Sequence, residues 1–160
     1  MTAAGDAAQV RASVLAADWP VPPGVHALTT LRGPAGASPP PFDNFDMGLR
    51  NGDDPALVAG NRAMLARGLE LPSVPRWLRQ VHGTRVVVEP RADAEDEADA
   101  AVTVEAGTVL AILTADCLPV ALCSGDGRVV AAAHAGWRGL ASGVLEAAVG
   151  AMNVPPGALL

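Results

Sequence analysis

The sequence predicts an α/β domain, and three observations support that fold class. Half of its 160 residues are apolar, which is enough to bury the core of a single domain. Two segments carry apolar side chains at helical spacing. Several runs rich in Val, Leu and Ile, separated by turn residues, are typical of strands.

The first part of the chain predicts few regular elements. Residues 1–24 are rich in Ala, Pro and Gly, and we expect them to form a partly disordered N-terminal extension before a domain at 25–160. A short strand is predicted at Val25–Thr30. Residues 32–55 have turn chemistry throughout and predict a long loop, which in compact domains is often functional.

A helix is predicted next. An acidic cap at Asp53 and a proline near the first helical position, Pro55, begin it, and an apolar stripe continues to about Arg67. Gly68 is a suitable end because glycine often follows the last turn of a helix.

The second half predicts strands and one further helix. Residues 76–90 predict two strands with a turn at Gly83, so His82 lies where the strand breaks. The acidic run at 92–100 predicts a solvated loop without a functional role. Strands are predicted within 101–123 and at 128–136, and an amphipathic helix is predicted at Arg138–Met152.

The turn between these two strands predicts their register. If Gly125 and Asp126 form a two-residue hairpin loop, Cys117 lies directly opposite His134 at a close, non-hydrogen-bonded position. Pro119 should then lie on an open edge or at a bulge on its other side, because proline has no N–H to donate. A three-residue loop with Gly127 in the left-handed conformation would shift the register by one and separate the pair.

Charge and composition exclude several classes of partner. The net charge of -6 and the absence of Lys among 11 basic residues argue against nucleic acids and anionic membranes as partners. No apolar run approaches the roughly 20 residues of a membrane span, so we expect a cytoplasmic protein. Cys117 and Cys123 lie about 20 Å apart if both are on one strand, which argues against a disulfide between them. Cys123 and His26 are expected to be structural.

Three interpretations of Cys117 and His134 remain open at this point. With His82 they form a donor set for zinc that leaves a fourth position open. Cys117 could instead be a nucleophile with His134 as its base and no metal. Both could also be ordinary core residues. Asp116 is a candidate for orienting a histidine or a water.

Other polar residues are candidates for substrate binding. In the motif "HAGWRG", glycines, Arg138 and a helix start favour an anion such as phosphate, although Trp137 could simply pack under the hairpin while Arg138 pairs with a carboxylate. Gln80 lies two residues before His82, on the same side of the strand, and could contact a polar substrate edge or only solvent. Asn44 and Arg62 are further candidates.

The motifs "RQVHGTRVV", "TADCLPVAL" and "HAGWRGLASGVL" together resemble the laccase-domain family. That family was formerly classified as multicopper polyphenol oxidases and is now regarded as metal-dependent purine nucleoside phosphorylases. The resemblance implies a mixed-sheet α/β sandwich, similar to cysteine hydrolases, in a monomer or homodimer. It implies one metal, usually zinc with copper possible, bound by His82, Cys117 and His134.

The same resemblance implies nucleoside and phosphate as substrates. The implied activities are phosphorolysis of adenosine, inosine, guanosine and methylthioadenosine, and adenosine deamination. A metal-free cysteine hydrolase using Cys117 and His134 is the alternative enzyme. A copper oxidase is disfavoured because three histidines cannot build several copper centres.

The chain also departs from the family pattern. Leu31 precedes Arg32 in "TTLRG", and Asp46 stands where asparagine is common, so the substrate-loop roles of Arg32 and Asp46 are in doubt. Family members continue beyond "MNVPPGALL", so we expect a C-terminally truncated domain that holds the N-terminal two-thirds of the family domain. An inactive remnant is therefore a third functional hypothesis.

Overall fold

The computed structural model describes residues 3–155 and 157–160. The chain divides into two compact units, which we call the first unit (Met1–Asp18 and His26–Pro72) and the second unit (Trp19–Val25 and Ser73–Leu160). None of the helices within the described residues is long and apolar enough to cross a membrane.

The first unit contains two helices and a two-stranded antiparallel sheet. Its elements are α1 (Ala3–Ala12), β1 (Val14–Ala16), β2 (Leu28–Thr30) and α2 (Pro55–Gly68). The Asp54 carboxylate caps α2 by accepting a hydrogen bond from the backbone N–H of Ala56. The predicted helix is therefore confirmed to within two residues, and the strand predicted at Val25–Thr30 is shorter than expected. The structure also forms α1 and β1 within 1–24, where the sequence predicted partial disorder. The domain boundary after residue 24 stays a prediction.

The predicted long loop before α2 is held in place by a buried side chain of that helix. The Asn61 amide donates to the Ser38 hydroxyl and to the carbonyls of Asn44 and Asp46, and its oxygen accepts from the N–H of Ala37. Because these groups are buried or half-buried, their mutual hydrogen bonds replace those lost to water.

The second unit contains two sheets and two helices. Its elements are β3 (Arg76–Arg79), β4 (Val86–Val88), β5 (Asp96–Glu97), β6 (Ala100–Thr103), β7 (Leu110–Ala111), β8 (Leu118–Cys123), β9 (Val130–Ala135), α3 (Trp137–Ser142) and α4 (Val144–Met152). One sheet has the order β5-β3-β7, and the other has the order β4-β6-β9-β8. In the second sheet β4 and β6 are parallel, whereas the other pairs are antiparallel. The predicted α/β fold with mixed sheets is confirmed.

The core of the second unit lies on both faces of the four-stranded sheet. On one face, Ala100 of β6 and Ala133 of β9 pack against Val144 and Ala148 of α4. On the other face, Ala101 packs against Leu78 of the three-stranded sheet. Small side chains on the central strands let these layers approach closely, which keeps β6 and β9 rigidly placed.

The hairpin register differs from the predicted one. His134 lies opposite Pro119, and the ladder runs from Leu118 and Ala135 to Cys123 and Val130. The N–H of Ser124 donates to Val129, so four residues rather than two form the loop, with Gly127 left-handed at φ 72°. The register is therefore shifted by two residues, and an even shift leaves Cys117 and His134 on the same face. The prediction that Pro119 lies on an edge strand is confirmed, because β8 is the outer strand.

Two further predictions were wrong. The helix expected at Arg138–Met152 is divided into α3 and α4 by Gly143, which has a φ of 94° that other residues rarely adopt. The acidic run at 92–100 is not wholly a solvated loop: it contains β5, and Asp99 is completely buried.

Candidate metal centre

Four side chains that can titrate or bind a metal lie close together at one end of the four-stranded sheet, where its strands begin or finish. His82 precedes β4, Asp99 immediately precedes β6, and Cys117 immediately precedes β8. His134 lies near the carboxyl end of β9, which is antiparallel to both β6 and β8. The amino ends of β6 and β8 therefore lie at the same end of the sheet as the carboxyl end of β9. The parallel pairing of β4 with β6 brings His82, which precedes β4, to the same end of the sheet.

The side chains of His82, Cys117 and His134 form a compact group of potential metal ligands. Their ligand atoms all lie within 4.8 Å of one another. Cys117 Sγ is 3.9 Å from His82 Nε2, and the two imidazole rings meet edge to face with centroids 4.8 Å apart. Two ligands of one tetrahedral zinc ion stand roughly 3.4–3.7 Å apart, so small side-chain rotations would bring all three onto one ion.

The three candidate ligands differ in how far their side chains are exposed to solvent. His134 is buried, Cys117 is half-buried and His82 is exposed. One side of the group therefore faces solvent. Three protein ligands with an accessible fourth position are typical of catalytic rather than structural zinc sites.

Asp99 joins the segments that carry the two histidines. Its Oδ1 accepts hydrogen bonds from His134 Nδ1 at 2.9 Å and from the backbone N–H of His82 at 2.9 Å. Its Oδ2 accepts from the N–H groups of Val81 at 3.1 Å and Gly83 at 2.7 Å. His82 has a left-handed φ of 60°, which turns three successive N–H groups toward one carboxylate.

This hydrogen bonding determines the charge of Asp99. Burial raises the pKa of its carboxyl, but the hydrogen bonds from His134, Gly83, Val81 and His82 outweigh burial, and the net pKa lies below the usual value. Asp99 is therefore an ionised acceptor at neutral pH. The His134 Nδ1 must then be the donor, and in the neutral imidazole this leaves Nε2 with a free lone pair for a metal.

Cys117 is not activated as a thiolate by its protein surroundings. Burial, the neighbouring Asp116 charge and its hydrogen bond, and the charge of Asp99 all raise the pKa of the thiol. A metal-free nucleophile requires the opposite shift. The Cys117 Sγ contacts His82 Nε2 and Asp116 Oδ1, at 3.9 and 3.8 Å, whereas the predicted base was His134.

Gly136 leaves the space that this ligand group occupies. A Cβ atom at that position would lie 2.9 Å from His82 Cδ2, 3.0 Å from Cys117 Sγ and 3.5 Å from His134 Cε1. Any side chain at this position would therefore contact all three candidate ligands. The donor set is also chemically suitable, since imidazole and thiolate are the side chains that zinc prefers. The residues present thus fit a single borderline-soft metal ion.

The other predicted site residues of the second unit have varied surroundings. The Gln80 amide donates to the carbonyl of Leu113 at 2.7 Å and accepts from its N–H at 2.6 Å, so both of its polar atoms contact backbone. Arg138 is exposed and lies 5.3 Å from the centre of the Trp137 ring. Trp137 is 74% exposed, which excludes the alternative in which it packs under the hairpin.

The remaining candidates lie in the first unit. Asn44 donates to the carbonyl of Gly33, and Arg62 Nε donates to the carbonyl of Met47 at 2.9 Å. Arg32 pairs with Asp43 at the surface. Asp46 accepts hydrogen bonds from Asn51. Their roles in substrate binding stay predictions.

Sequence reasoning missed Asp99 and Gly136. Asp99 lies in the acidic run that was interpreted as solvated, but it directly precedes the apolar strand "AAVT", and that position was a usable signal of burial. Gly136 is one of the glycines of "HAGWRG" that were predicted only to favour a bound anion. The space that it leaves for the three candidate ligands depends on how the strands meet at this end of the sheet, which the local sequence does not show.

The structure defines a mixed α/β protein in which a His-Cys-His group could hold a metal ion. Comparison with known proteins gives the family. The sequence profile described as multi-copper polyphenol oxidoreductase laccase matches residues 25–159. The chain belongs to this family, and the resemblance inferred from its motifs is confirmed.

Individual relatives are similar over most of this chain. A purine nucleoside phosphorylase of Xylella fastidiosa strain Temecula1 is 55% identical over 152 residues, which cover 89% of this chain and 58% of the relative. The purine nucleoside phosphorylase YfiH of Escherichia coli strain K12 is 48% identical over 132 residues. These residues cover 82% of this chain and 54% of that relative.

A solved structure also matches. The crystal structure of a Neisseria meningitidis protein has a TM-score of 0.85 and 41% identity, and the match covers 92% of this chain and 60% of that protein. This chain therefore spans less than two thirds of the length of each of these three relatives.

Proposed function

We propose that this chain carries the metal centre of a purine nucleoside phosphorylase, with His82, Cys117 and His134 as ligands of one zinc ion. The observation that carries the proposal is the convergence of these three ligand atoms within 4.8 Å. Relatives that are 55% and 48% identical carry the name purine nucleoside phosphorylase, which supports the reaction class. The proposed substrates are a purine nucleoside and phosphate.

In phosphorolysis a phosphate oxygen forms a bond to C1' of the ribose while the bond from C1' to purine N9 breaks. The purine leaves with the electron pair and takes up a proton. We propose adenosine, inosine, guanosine and methylthioadenosine as substrates. Adenosine deamination, in which water replaces the amino group and ammonia leaves, is the second proposed activity.

The chain's own residues have separate proposed roles in these reactions. A zinc ion held by His82, Cys117 and His134 would supply Lewis-acid chemistry, the polarisation of an oxygen atom. Asp99 keeps the proton of His134 on Nδ1 and so leaves Nε2 as a ligand. Asp116, next to Cys117, is proposed to orient a histidine or a bound water. Arg138 offers an exposed guanidinium for phosphate, four residues after His134.

Gln80, Asn44 and Arg62 stay proposed contacts of the substrate. For Gln80 the two hydrogen bonds with Leu113 favour a different role, a brace between the segments that lead to His82 and Cys117. A cytoplasmic location and a monomeric or homodimeric state also stay predictions.

The metal-free cysteine hydrolase is the second candidate function. The raised pKa of Cys117 weighs against it, because a protonated thiol is a poor nucleophile. The copper oxidase remains disfavoured on ligand number, since the chain has three histidines.

The proposal is tested by assaying the zinc-loaded chain with each of the four nucleosides, with and without phosphate, for release of free base and of ammonia. We expect phosphate-dependent base release that is lost in Cys117→Ala. The matched control is Cys123→Ala, because Cys123 is a free, fully buried cysteine at the opposite end of β8.

Two results would contradict the proposal. A folded, zinc-loaded chain that releases neither base nor ammonia supports the inactive remnant. Activity that resists chelators, together with covalent trapping of Cys117, supports the cysteine hydrolase.

A further inference from the structure

The buried carboxylate of Asp99 accepts four hydrogen bonds. Asp99 is completely buried, and a buried carboxylate is costly unless donors surround it. The four donors here are His134 Nδ1 and the N–H groups of Val81, His82 and Gly83. All four belong either to a proposed metal ligand or to the three-residue segment centred on one.

The backbone of Asp99 is fixed independently of its side chain. Its N–H donates to the carbonyl of Arg85 at 3.0 Å, and its carbonyl accepts from the N–H of His134 at 2.7 Å. These bonds extend the pairing of β6 with β4 on one side and with β9 on the other. The carboxylate therefore projects from a backbone position at the start of β6 that is hydrogen-bonded on both sides.

The two carboxylate oxygens of Asp99 accept hydrogen bonds from different groups. Oδ1 binds both His134 Nδ1 and the N–H of His82, and Oδ2 binds the N–H groups on either side of His82. One oxygen thus contacts both histidine-bearing segments. Rotation of the His134 ring, or relaxation of the His82 turn from its φ of 60°, would break at least one of these bonds.

We infer that Asp99 is the positioning residue of the metal centre, which sets the tautomer of His134 and the conformation of the His82 turn before any metal binds. This inference rests on the proposed metal centre. In this inference the Asp99 side chain fixes the orientation of His82 and His134, two of the three ligands. Cys117 is positioned separately, just before β8. Asp99 does not itself join the ligand group, because its oxygens are engaged by these donors.

The substitution Asp99→Asn tests this role with almost no change in volume. An amide has one acceptor oxygen, so either orientation leaves its NH₂ group facing two donors. If the NH₂ faces His134, the Nδ1–H tautomer is lost and with it the free lone pair on Nε2. If it faces Val81 and Gly83, the His82 turn loses two hydrogen bonds.

The matched control is Glu89→Gln. The Glu89 carboxylate also binds β6, accepting from the Thr103 hydroxyl and from the N–H of Val104, but at the opposite end of the strand. Both substitutions neutralise one acid bound to the same strand. Only Asp99→Asn removes hydrogen bonds to His134 or to the segment that carries His82.

The test measures zinc affinity by chelator competition and the absorption spectrum of the cobalt-substituted protein, on chains whose folding is verified by circular dichroism. We expect Asp99→Asn to weaken zinc binding by about 10- to 100-fold and to change the cobalt ligand-field bands, with Glu89→Gln within about twofold of wild type. Equal affinities and spectra for wild type and a folded Asp99→Asn would overturn the inference. A wild-type chain that binds no zinc would instead contradict the proposed function.

A second measurement needs no variant. In the metal-free wild-type protein, ¹⁵N chemical shifts of the His134 ring should report the Nδ1–H tautomer. The Nε2–H tautomer would overturn the inference even if Asp99→Asn fails to fold.

Discussion

The substitution Gly136→Ala adds one methyl group to the centre of the ligand group. The new Cβ would lie 2.9 Å from His82 Cδ2 and 3.0 Å from Cys117 Sγ. Non-bonded carbon atoms prefer a separation of about 3.5 Å or more, so the His82 ring must retreat by about 0.6 Å. Metal sites tolerate deviations of only about 0.2 Å in ligand distance. The methyl group therefore disturbs metal binding directly.

The backbone at this position does not resist the change. Gly136 has φ -63° and ψ 154°, an extended conformation that alanine adopts freely. Replacing glycine at such a position reduces the entropy of the unfolded chain and stabilises the fold by about 0.4–1 kcal/mol, which offsets part of the steric cost. Since His82 is exposed and can move, we expect the unfolding free energy of the metal-free protein to change by less than about 1 kcal/mol.

The expected result is a loss of metal affinity without a loss of fold. We expect zinc to bind about 10- to 100-fold more weakly, equivalent to about 1.4–2.7 kcal/mol, measured by competition with a chromogenic chelator. Urea unfolding of the metal-free protein measures stability in parallel. The control is Gly150→Ala in α4, where a Cβ has no heavy atom within 4 Å; it should be neutral or stabilising, with unchanged affinity. Unchanged zinc affinity in Gly136→Ala would refute the steric argument.

Two other predictions concern hydrogen bonds outside the ligand group. Gln80→Leu should lower the unfolding free energy by about 1–3 kcal/mol, because it leaves both backbone groups of Leu113 unpaired; unchanged stability in urea would exclude the brace. Asp126 has a pKa below its usual value because the Ser124 hydroxyl, the Arg128 N–H and the Arg128 charge favour the carboxylate over a smaller effect of burial. Its contribution to stability is therefore present above pH 4 to 5 and is lost as the pH falls through its lowered pKa. The stability advantage of wild type over Asp126→Asn should be larger at pH 7 than at pH 3, and an equal advantage at both would contradict it.

Local sequence signals predicted the elements that depend on local chemistry. The helix at Pro55–Gly68 was found because its cap, its proline and its apolar spacing are all close together in the chain. The division after Ser142 was missed because apolar spacing continues through Gly143, and only its positive φ separates the two helices. The hairpin register was wrong because the turn residues "SGDG" allow loops of different length, and the four-residue loop is closed by side-chain bonds of Ser124 and Asp126 that the prediction of a two-residue turn does not consider.

The candidate ligands could be predicted despite the wrong register. Cys117 and His134 share a face for any even shift, so an error of two residues preserved their proximity. His82 was a candidate third ligand by donor type alone, and the family resemblance supported it, since the 35 residues that separate it from Cys117 give no spacing signal. Asp99 could not be identified from composition, because its role arises when β6 pairs with both β4 and β9 and places one acid of an acidic run in the interior.

The most direct test of the central claim is X-ray absorption spectroscopy on the zinc-loaded chain, with metal content measured on the same sample. We expect about one zinc per chain, with one sulfur ligand at about 2.3 Å and two imidazole ligands at about 2.0–2.1 Å. The sulfur contribution should vanish in Cys117→Ala and remain in Cys123→Ala. A zinc ion without sulfur coordination, or a sulfur signal that survives Cys117→Ala, would contradict a metal centre formed by His82, Cys117 and His134.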